Sequence, residues 1–186
     1  MIRSVLVANR GEIARRVFRT CRDLGITTVA VHSDADADAP FVREPDRAVH
    51  LPGNAPSDTY LRADLVIDAA RRAGADAIHP GYGFLSENAE FARQVVDAGL
   101  VWVGPAPETI EAMGSKIRAK ELMAKAGVPI LSVDPDEVTA DDFPLLVKAS
   151  AGGGGRGMRL VTDPADLAGE LTAAGAEALS AFGDDT

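Results

Sequence analysis

The chain has 186 residues, 46% hydrophobic and 25% charged, a composition typical of a globular protein rather than a disordered or collagenous one. At about 150 residues per domain this length allows one domain and a fraction of a second. A net charge of −9 argues against a general binder of nucleic acid or anionic membranes, so any phosphate ligand needs a local site where backbone N–H groups and a few cations converge.

Cys21 is the single cysteine, which excludes an internal disulfide and, with three scattered histidines, argues against a Cys/His zinc site. A reducing, cytoplasmic setting fits this usage. Met1-Ile2-Arg3 leads straight into a strand-like segment, so no cleaved leader is expected, and no apolar run approaches the roughly 18 residues of a membrane span.

Ser4 to Ala8 is a short apolar run rich in branched residues, as expected of a strand buried on both faces of a parallel sheet. A helix follows, with Ile13, Ala14, Val17, Phe18, Cys21 and Leu24 on one face and Arg15, Arg16, Arg19, Arg22 and Asp23 off it. Gly25 closes this helix. Thr27 to Val31 is a second strand; a polar loop with Asp34, Asp36 and Asp38 leads to a third at Arg47 to Leu51, then a helix from Tyr60 to Arg72. Asp76 to His79 reads as a strand, Asn88 to Ala98 as a helix and Leu100 to Val103 as a strand. Strands alternating with helices imply an α/β doubly wound parallel sheet.

After Gly104 the rhythm changes. Pro107 to Met113 and Ser115 to Ala126 are two successive helices separated by Gly114, so the first domain is expected to span 1–114 and the second 115–186. Within the second, Phe143 to Ala149 and Met158 to Val161 are strands around a glycine loop. Asp163 and Pro164 start a last helix whose apolar positions are Leu167, Leu171, Ala174, Ala178 and Phe182. Two strands and one helix make a thin structure.

The strongest chemical signal is Lys148-Ala149-Ser150-Ala151-Gly152-Gly153-Gly154-Gly155-Arg156-Gly157-Met158. Successive glycines let backbone N–H groups converge on a polyphosphate with no Cβ in the way, and Lys148 and Arg156 bracket them. A flexible hairpin turn would need fewer glycines. The G-x-x-x-x-G-K-[ST] arrangement is absent and the loop joins two strands, which suggests a flap over nucleotide phosphates rather than a P-loop. The segment Ser150 to Gly157 is expected to be mobile.

Asn9-Arg10-Gly11-Glu12 follows the first strand with one glycine where a dinucleotide fingerprint needs three, so NAD binding is unsupported. These four residues are either a structural turn or ligand contacts. His79-Pro80-Gly81-Tyr82-Gly83-Phe84-Leu85-Ser86-Glu87-Asn88 lies at the equivalent end of a later strand. A tight turn capped by Ser86 or Asn88 explains the Pro, the glycines and one cap, but leaves Tyr82 and Glu87 available for a small polar substrate. Lys116, early in a helix, reads from physics alone as a solvated lysine. Cys21 and Trp102 read as core residues.

Val7 to Ala14, His79 to Asn88 and Lys148 to Met158, together with Ala30-Val31-His32-Ser33 and Gly127-Val128-Pro129, closely resemble biotin carboxylase over almost the whole chain. The resemblance implies a pre-ATP-grasp α/β domain followed by a partial ATP-grasp fold with a glycine-rich lid. It implies a ligase in which MgATP phosphorylates bicarbonate and biotin on a carrier domain is carboxylated. Carried over by motif, Lys116 and Lys148 contact ATP, Gly154 and Gly155 cover its phosphates and Met158 lies near the base. Tyr82 and Gly83 belong to the biotin-side wall, with Glu87 a nearby polar group, and Arg16, Arg19 and Asp23 to a homodimer contact. The implied partners are a biotin carboxyl carrier domain and a carboxyltransferase subunit, in an acyl-CoA carboxylase of fatty acid biosynthesis.

Three departures from the family pattern stand out. Ala151 replaces a usual glycine, the stretch from Pro129 to Phe143 is short, and the magnesium-binding glutamates and catalytic arginine are expected beyond Thr186. The chain alone is therefore expected to be inactive. The competing readings are a non-catalytic nucleotide-binding or assembly module of the same fold, and another ATP-grasp ligase such as the pyruvate carboxylase type.

Overall fold

The computed structural model of the protein describes residues 1–114, 116–130, 138–148 and 158–182, and these form two compact units, Met1–Glu111 and Ala112–Thr186. In the first unit, β1 (Ser4–Val7), β2 (Thr27–His32), β3 (Arg47–His50), β4 (Ala77–His79) and β5 (Val101–Trp102) make one sheet in the order β3-β2-β1-β4-β5. Every pairing is parallel; Val5, Leu6 and Val7 of β1 stand opposite Thr28, Val29 and Ala30 on one side and Ala77, Ile78 and His79 on the other.

The central strand is buried throughout, and apolar from Val5 to Val7, because both its faces are covered. Val5 and Val7 point to one face, where α1 (Gly11–Asp23) and the short α2 (Pro40–Arg43) bring Ala14, Phe18, Cys21 and Phe41. Leu6 and Ala8 point to the other, among Val66, Ala69 and Ala70 of α3 (Ala63–Ala73) and Phe91 and Val95 of α4 (Ala89–Asp97). This two-residue alternation gives each layer its own core.

Two local expectations change. Leu24 lies outside the core, 68% exposed, because it is the C-terminal cap of α1 and the chain reverses at Gly25 (φ +68°). The acidic loop after β2 contains α2, whose Phe41 is buried, and the helix expected from Tyr60 begins at Ala63 after a 3-10 turn at Pro56–Asp58.

α5 (Pro107–Gly114) spans the division between the units. The second unit holds α6 (Lys116–Lys125), the antiparallel pair β6 (Leu145–Lys148) and β7 (Met158–Val161), and α7 (Leu167–Phe182). Among its described residues Val161, Ala174 and Ala178 are the buried apolar side chains, and Arg159 of β7 reaches Glu170 and Glu177 of α7 at 3.0 and 3.1 Å. Leu171, expected on the packed face of α7, is exposed, and Leu146 and Leu160 are exposed on paired strands. The glycine loop 149–157 lies outside the described residues, as does its expected mobility. None of the described helices is long and apolar enough to cross a membrane.

Candidate functional site

The strand order reverses at β1: β2 and β3 lie on one side of it, β4 and β5 on the other. Open α/β sheets place ligands at the carboxyl ends of the strands flanking such a reversal. Here those ends carry the Asn9–Glu12 turn and the His79–Asn88 segment.

Asn9 joins the two. Its side chain is buried; Nδ2 donates to the carbonyls of Pro80 (2.8 Å) and Tyr82 (2.7 Å), and Oδ1 accepts from the Arg10 N–H (2.9 Å). Both polar atoms of the amide are thus spent on main chain, which makes Asn9 a structural staple rather than a ligand contact. The backbone of Gly81 donates to Nδ1 of His79 at 2.9 Å. That bond makes Nδ1 the acceptor and puts the imidazole proton on Nε2, and burial pushes the His79 pKa down, favouring the neutral ring.

Tyr82 is 60% exposed and its hydroxyl donates to Oε1 of Glu12, a bond that raises the phenol's pKa. Glu12, rather than Glu87, is therefore its partner; Glu87 is exposed and has no hydrogen bond among the described residues. Gly83 has φ +64° and open space at its Cβ position. Asn88, not Ser86, caps α4, accepting from the Phe91 N–H at 2.9 Å.

Beside this pair of turns lies a buried polar cluster that sequence reasoning did not single out. Asp36 accepts from the Tyr60 hydroxyl (2.6 Å), the Ser33 hydroxyl (3.2 Å) and the Arg10 guanidinium (2.7 Å), and the Ser33 N–H donates to the Tyr60 oxygen (3.0 Å). Burial, followed by the hydrogen bond to Asp36, pushes the Tyr60 pKa up to about 12. A loop with three aspartates reads as solvated, and nothing local marks the middle one as buried.

Arg16, Arg19 and Asp23 are exposed on α1, as expected of side chains off its apolar face. With Arg22 and an Arg15–Glu44 pair whose guanidinium bonds both carboxylate oxygens (2.8 and 2.9 Å), Arg16 and Arg19 border a shallow depression of about 540 Å³. Among the described residues neither Arg16 nor Arg19 has a salt-bridge partner, which leaves two cations presented side by side on one helix face.

In the second unit, Lys148 is exposed and stands opposite Met158 in the β6–β7 register. Lys148 and Lys120 line an open, largely apolar cavity of about 920 Å³ with Ile130, Val147 and Leu171. Of Lys116 only the backbone is described, as the first residue of α6; Gly154 and Gly155 lie outside the described residues. Two cations at the rim of an apolar cavity fit a ligand with an apolar ring and a polyphosphate. No group of three or more His, Cys, Asp or Glu suited to a metal ion occurs among the described residues.

The first unit is thus a doubly wound α/β domain with two stapled turns at its switch point, and the second carries a two-stranded hairpin with two lysines beside an apolar cavity. The family model "biotin carboxylase, N-terminal domain" matches residues 1–110, and "carbamoyl-phosphate synthase L chain, ATP binding domain" matches residues 115–186. The chain belongs to the biotin carboxylase N-terminal domain family.

Among curated relatives, a pyruvate carboxylase subunit of Methanothermobacter thermautotrophicus is 49% identical over 100% of this chain and 40% of its own length. The biotin carboxylase of Halalkalibacterium halodurans is 46% identical over 100% of this chain and 43% of its own. Among solved structures, the Campylobacter jejuni biotin carboxylase complex with β-γ-ATP matches at a TM-score of 0.93 and 39% identity, covering 100% of this chain and 44% of that one. The biotin carboxylase domain dimer of Hydrogenobacter thermophilus 2-oxoglutarate carboxylase, bound to MgADP, ADP and bicarbonate, matches at 0.86 and 45%, covering 100% and 43%. The chain thus spans less than half the length of these relatives.

Proposed function

We propose that this chain is the N-terminal part of a biotin carboxylase that uses MgATP and bicarbonate to carboxylate biotin held on a carrier domain, within a cytoplasmic acyl-CoA carboxylase serving fatty acid biosynthesis. The observation that carries the reading is the pair of turns at the β1/β4 switch point, with Asn9 holding the Tyr82–Gly83 backbone, in a chain similar over its whole length to biotin carboxylases. The domains are assigned as 1–114 and 115–186.

In this reading Lys148 and Lys116 neutralise nucleotide phosphates, Gly154 and Gly155 offer backbone N–H groups to them, and Met158 packs near the base. Phosphoryl transfer depends chiefly on positioning and charge neutralisation, which these residue types supply. Mg2+ contributes further neutralisation of the phosphates, and no described residue is assigned to it. Tyr82 and Gly83 form the biotin-side wall, with Glu87 as a polar neighbour. Arg16, Arg19 and Asp23 contact a second copy of the parent protein. A biotin carboxyl carrier domain and a carboxyltransferase subunit complete the partners.

A second reading, a pyruvate carboxylase type of parent, draws on the 49% identity to a protein of that name. Both readings share the half-reaction and differ in the carboxyl acceptor. The test is ADP release by the purified parent protein with bicarbonate, with and without free biotin. Biotin-dependent ATP cleavage is expected for the parent and none for the 186-residue chain by itself; carboxylation of a different amine with no response to biotin overturns the proposal. Pyruvate against acyl-CoA as final acceptor, assayed with the carboxyltransferase, separates the two types.

A further inference from the structure

The His79–Asn88 segment holds a strained residue that the functional reading leaves unused. Phe84 has φ +42°, and among the described residues it is the only non-glycine with a positive φ. A bulky side chain in that region crowds its own backbone, and such a conformation persists only where the surroundings hold it.

Phe84 packs against the core cluster that includes Tyr60, Leu85 and Phe91, and within it one aromatic ring is stacked on that of Phe84. Tyr60 stacks on Phe84 with centroids 5.1 Å apart and planes inclined by 12°. Tyr60 is itself locked: its hydroxyl donates to Asp36 and accepts from the Ser33 N–H, and Asp36 is fixed in turn by Arg10 from the β1–α1 turn. Ser33, Asp36 and Tyr60 are all buried, so these bonds are shielded from exchange with solvent. The Arg10 guanidinium also lies 5.9 Å from the Tyr60 ring centroid. A continuous set of contacts therefore runs from Arg10 through Asp36 and Tyr60 to Phe84, the residue next to Gly83.

We infer that Tyr60 is a positioning residue: its locked ring holds Phe84 in the left-handed conformation and thereby sets the Tyr82–Gly83 backbone. The inference rests on the assignment of Tyr82 and Gly83 to the biotin side. Removing the ring lets Phe84 relax to an ordinary φ and shifts the adjoining two residues, while the groups assigned to ATP belong to the other unit and keep their places. The expected signature is a split between substrates, which a general loss of stability would not produce.

The experiment measures steady-state kinetics of the full-length parent with free biotin and MgATP as varied substrates. Tyr60→Leu raises the biotin KM about tenfold, equivalent to about 1.4 kcal/mol, and leaves the MgATP KM within about twofold. Tyr60→Phe keeps the ring and stays within about threefold of wild type for biotin. The double variant Tyr60→Leu/Phe84→Leu is no worse than Tyr60→Leu within about twofold, because both changes remove one contact. If Tyr60→Leu does not fold, Phe84→Leu, at a partly buried position, carries the test alone, with the same biotin-only rise.

An unchanged biotin KM in a folded variant, a parallel rise in both KM values, or multiplicative effects in the double variant overturn the inference. A wild-type parent that does not carboxylate biotin overturns the proposed function and this inference together. A wild type that does, with a Tyr60→Leu variant of unaltered biotin KM, overturns the positioning role alone.

Discussion

A β-carbon on Gly81 would stand 2.7 Å from Nδ2 of Asn9, and φ at Gly81 is +67°. The two turns meet so closely because Asn9 draws the carbonyls on either side of Gly81, those of Pro80 and Tyr82, onto one amide group. Only a residue without a side chain fits between them.

Gly81→Ala should therefore cost about 2–4 kcal/mol, combining about 1 for the left-handed backbone with about 1–3 for overpacking against a buried, fully bonded neighbour. Gly83→Ala meets open space at φ +64° and should cost only the backbone part, about 1 kcal/mol. Urea denaturation of both variants checks the difference; equal midpoints would contradict the close approach.

Asn9→Ala leaves the two carbonyls and the Arg10 N–H without their partner and should cost about 2–3 kcal/mol. Asn9→Asp should be worse near neutral pH, since a carboxylate cannot donate to either carbonyl. Thermal unfolding orders the three proteins as wild type, then Ala, then Asp; an Asp variant as stable as wild type would contradict the bonding described.

Stability should fall at both ends of the pH scale for identifiable reasons. His79 has its pKa held down by burial in the folded state, so below its ordinary value near 6.5 the unfolded chain takes up the proton first and stability declines as pH falls toward the depressed folded value. Protonation also ends the acceptor role of Nδ1 toward Gly81. Tyr60 behaves in the opposite sense: its pKa is raised from 10.0 to about 12, so the unfolded chain loses the proton first and stability declines as pH rises through that interval. Urea midpoints against pH check both arms. Tyr60→Phe should remove the alkaline dependence attributable to this residue and leave the acid arm unchanged.

Lys148→Gln in the parent protein removes a cation from the rim of the second unit's cavity and should raise the MgATP KM by about 10–100-fold, the range for a lost hydrogen bond to a charged group. The biotin KM serves as the control. An unaltered MgATP KM would remove Lys148 from the nucleotide site.

Arg16→Glu combined with Arg19→Glu reverses two exposed cations on α1 and should shift the parent from dimer to monomer in sedimentation velocity. A wild type already monomeric at micromolar concentration, or a double variant still dimeric, would place the interface elsewhere.

Much of the fold was legible because its signals are local. The apolar run at Val5-Leu6-Val7, the helical spacing of Ala14, Phe18 and Cys21, and the Gly25 reversal each lie within a few residues, and each became the element expected. Leu24 failed for a local reason as well: helical spacing carried it onto the apolar face, but it is the cap residue where the chain reverses at Gly25, and its side chain is exposed. The site was legible as segments rather than as contacts. Tyr82 and Glu87 lie close together in sequence, yet Tyr82 found Glu12, because β1 and β4 are sheet neighbours.

By itself the sequence determined the alternation of strands and helices, the buried parallel character of the central strands and the positions of the two turns, since hydrophobic period and turn chemistry act over a few residues. Tertiary structure alone decided which turns touch, that Asn9 is a staple, and that Asp36 is buried beneath Tyr60 rather than solvated. Asn9 and Pro80 lie 71 positions apart, and their bond exists only once the strand order has put β1 beside β4. A buried polar group can be satisfied by any chain segment that arrives with the right geometry, so its partner is a property of the assembled sheet.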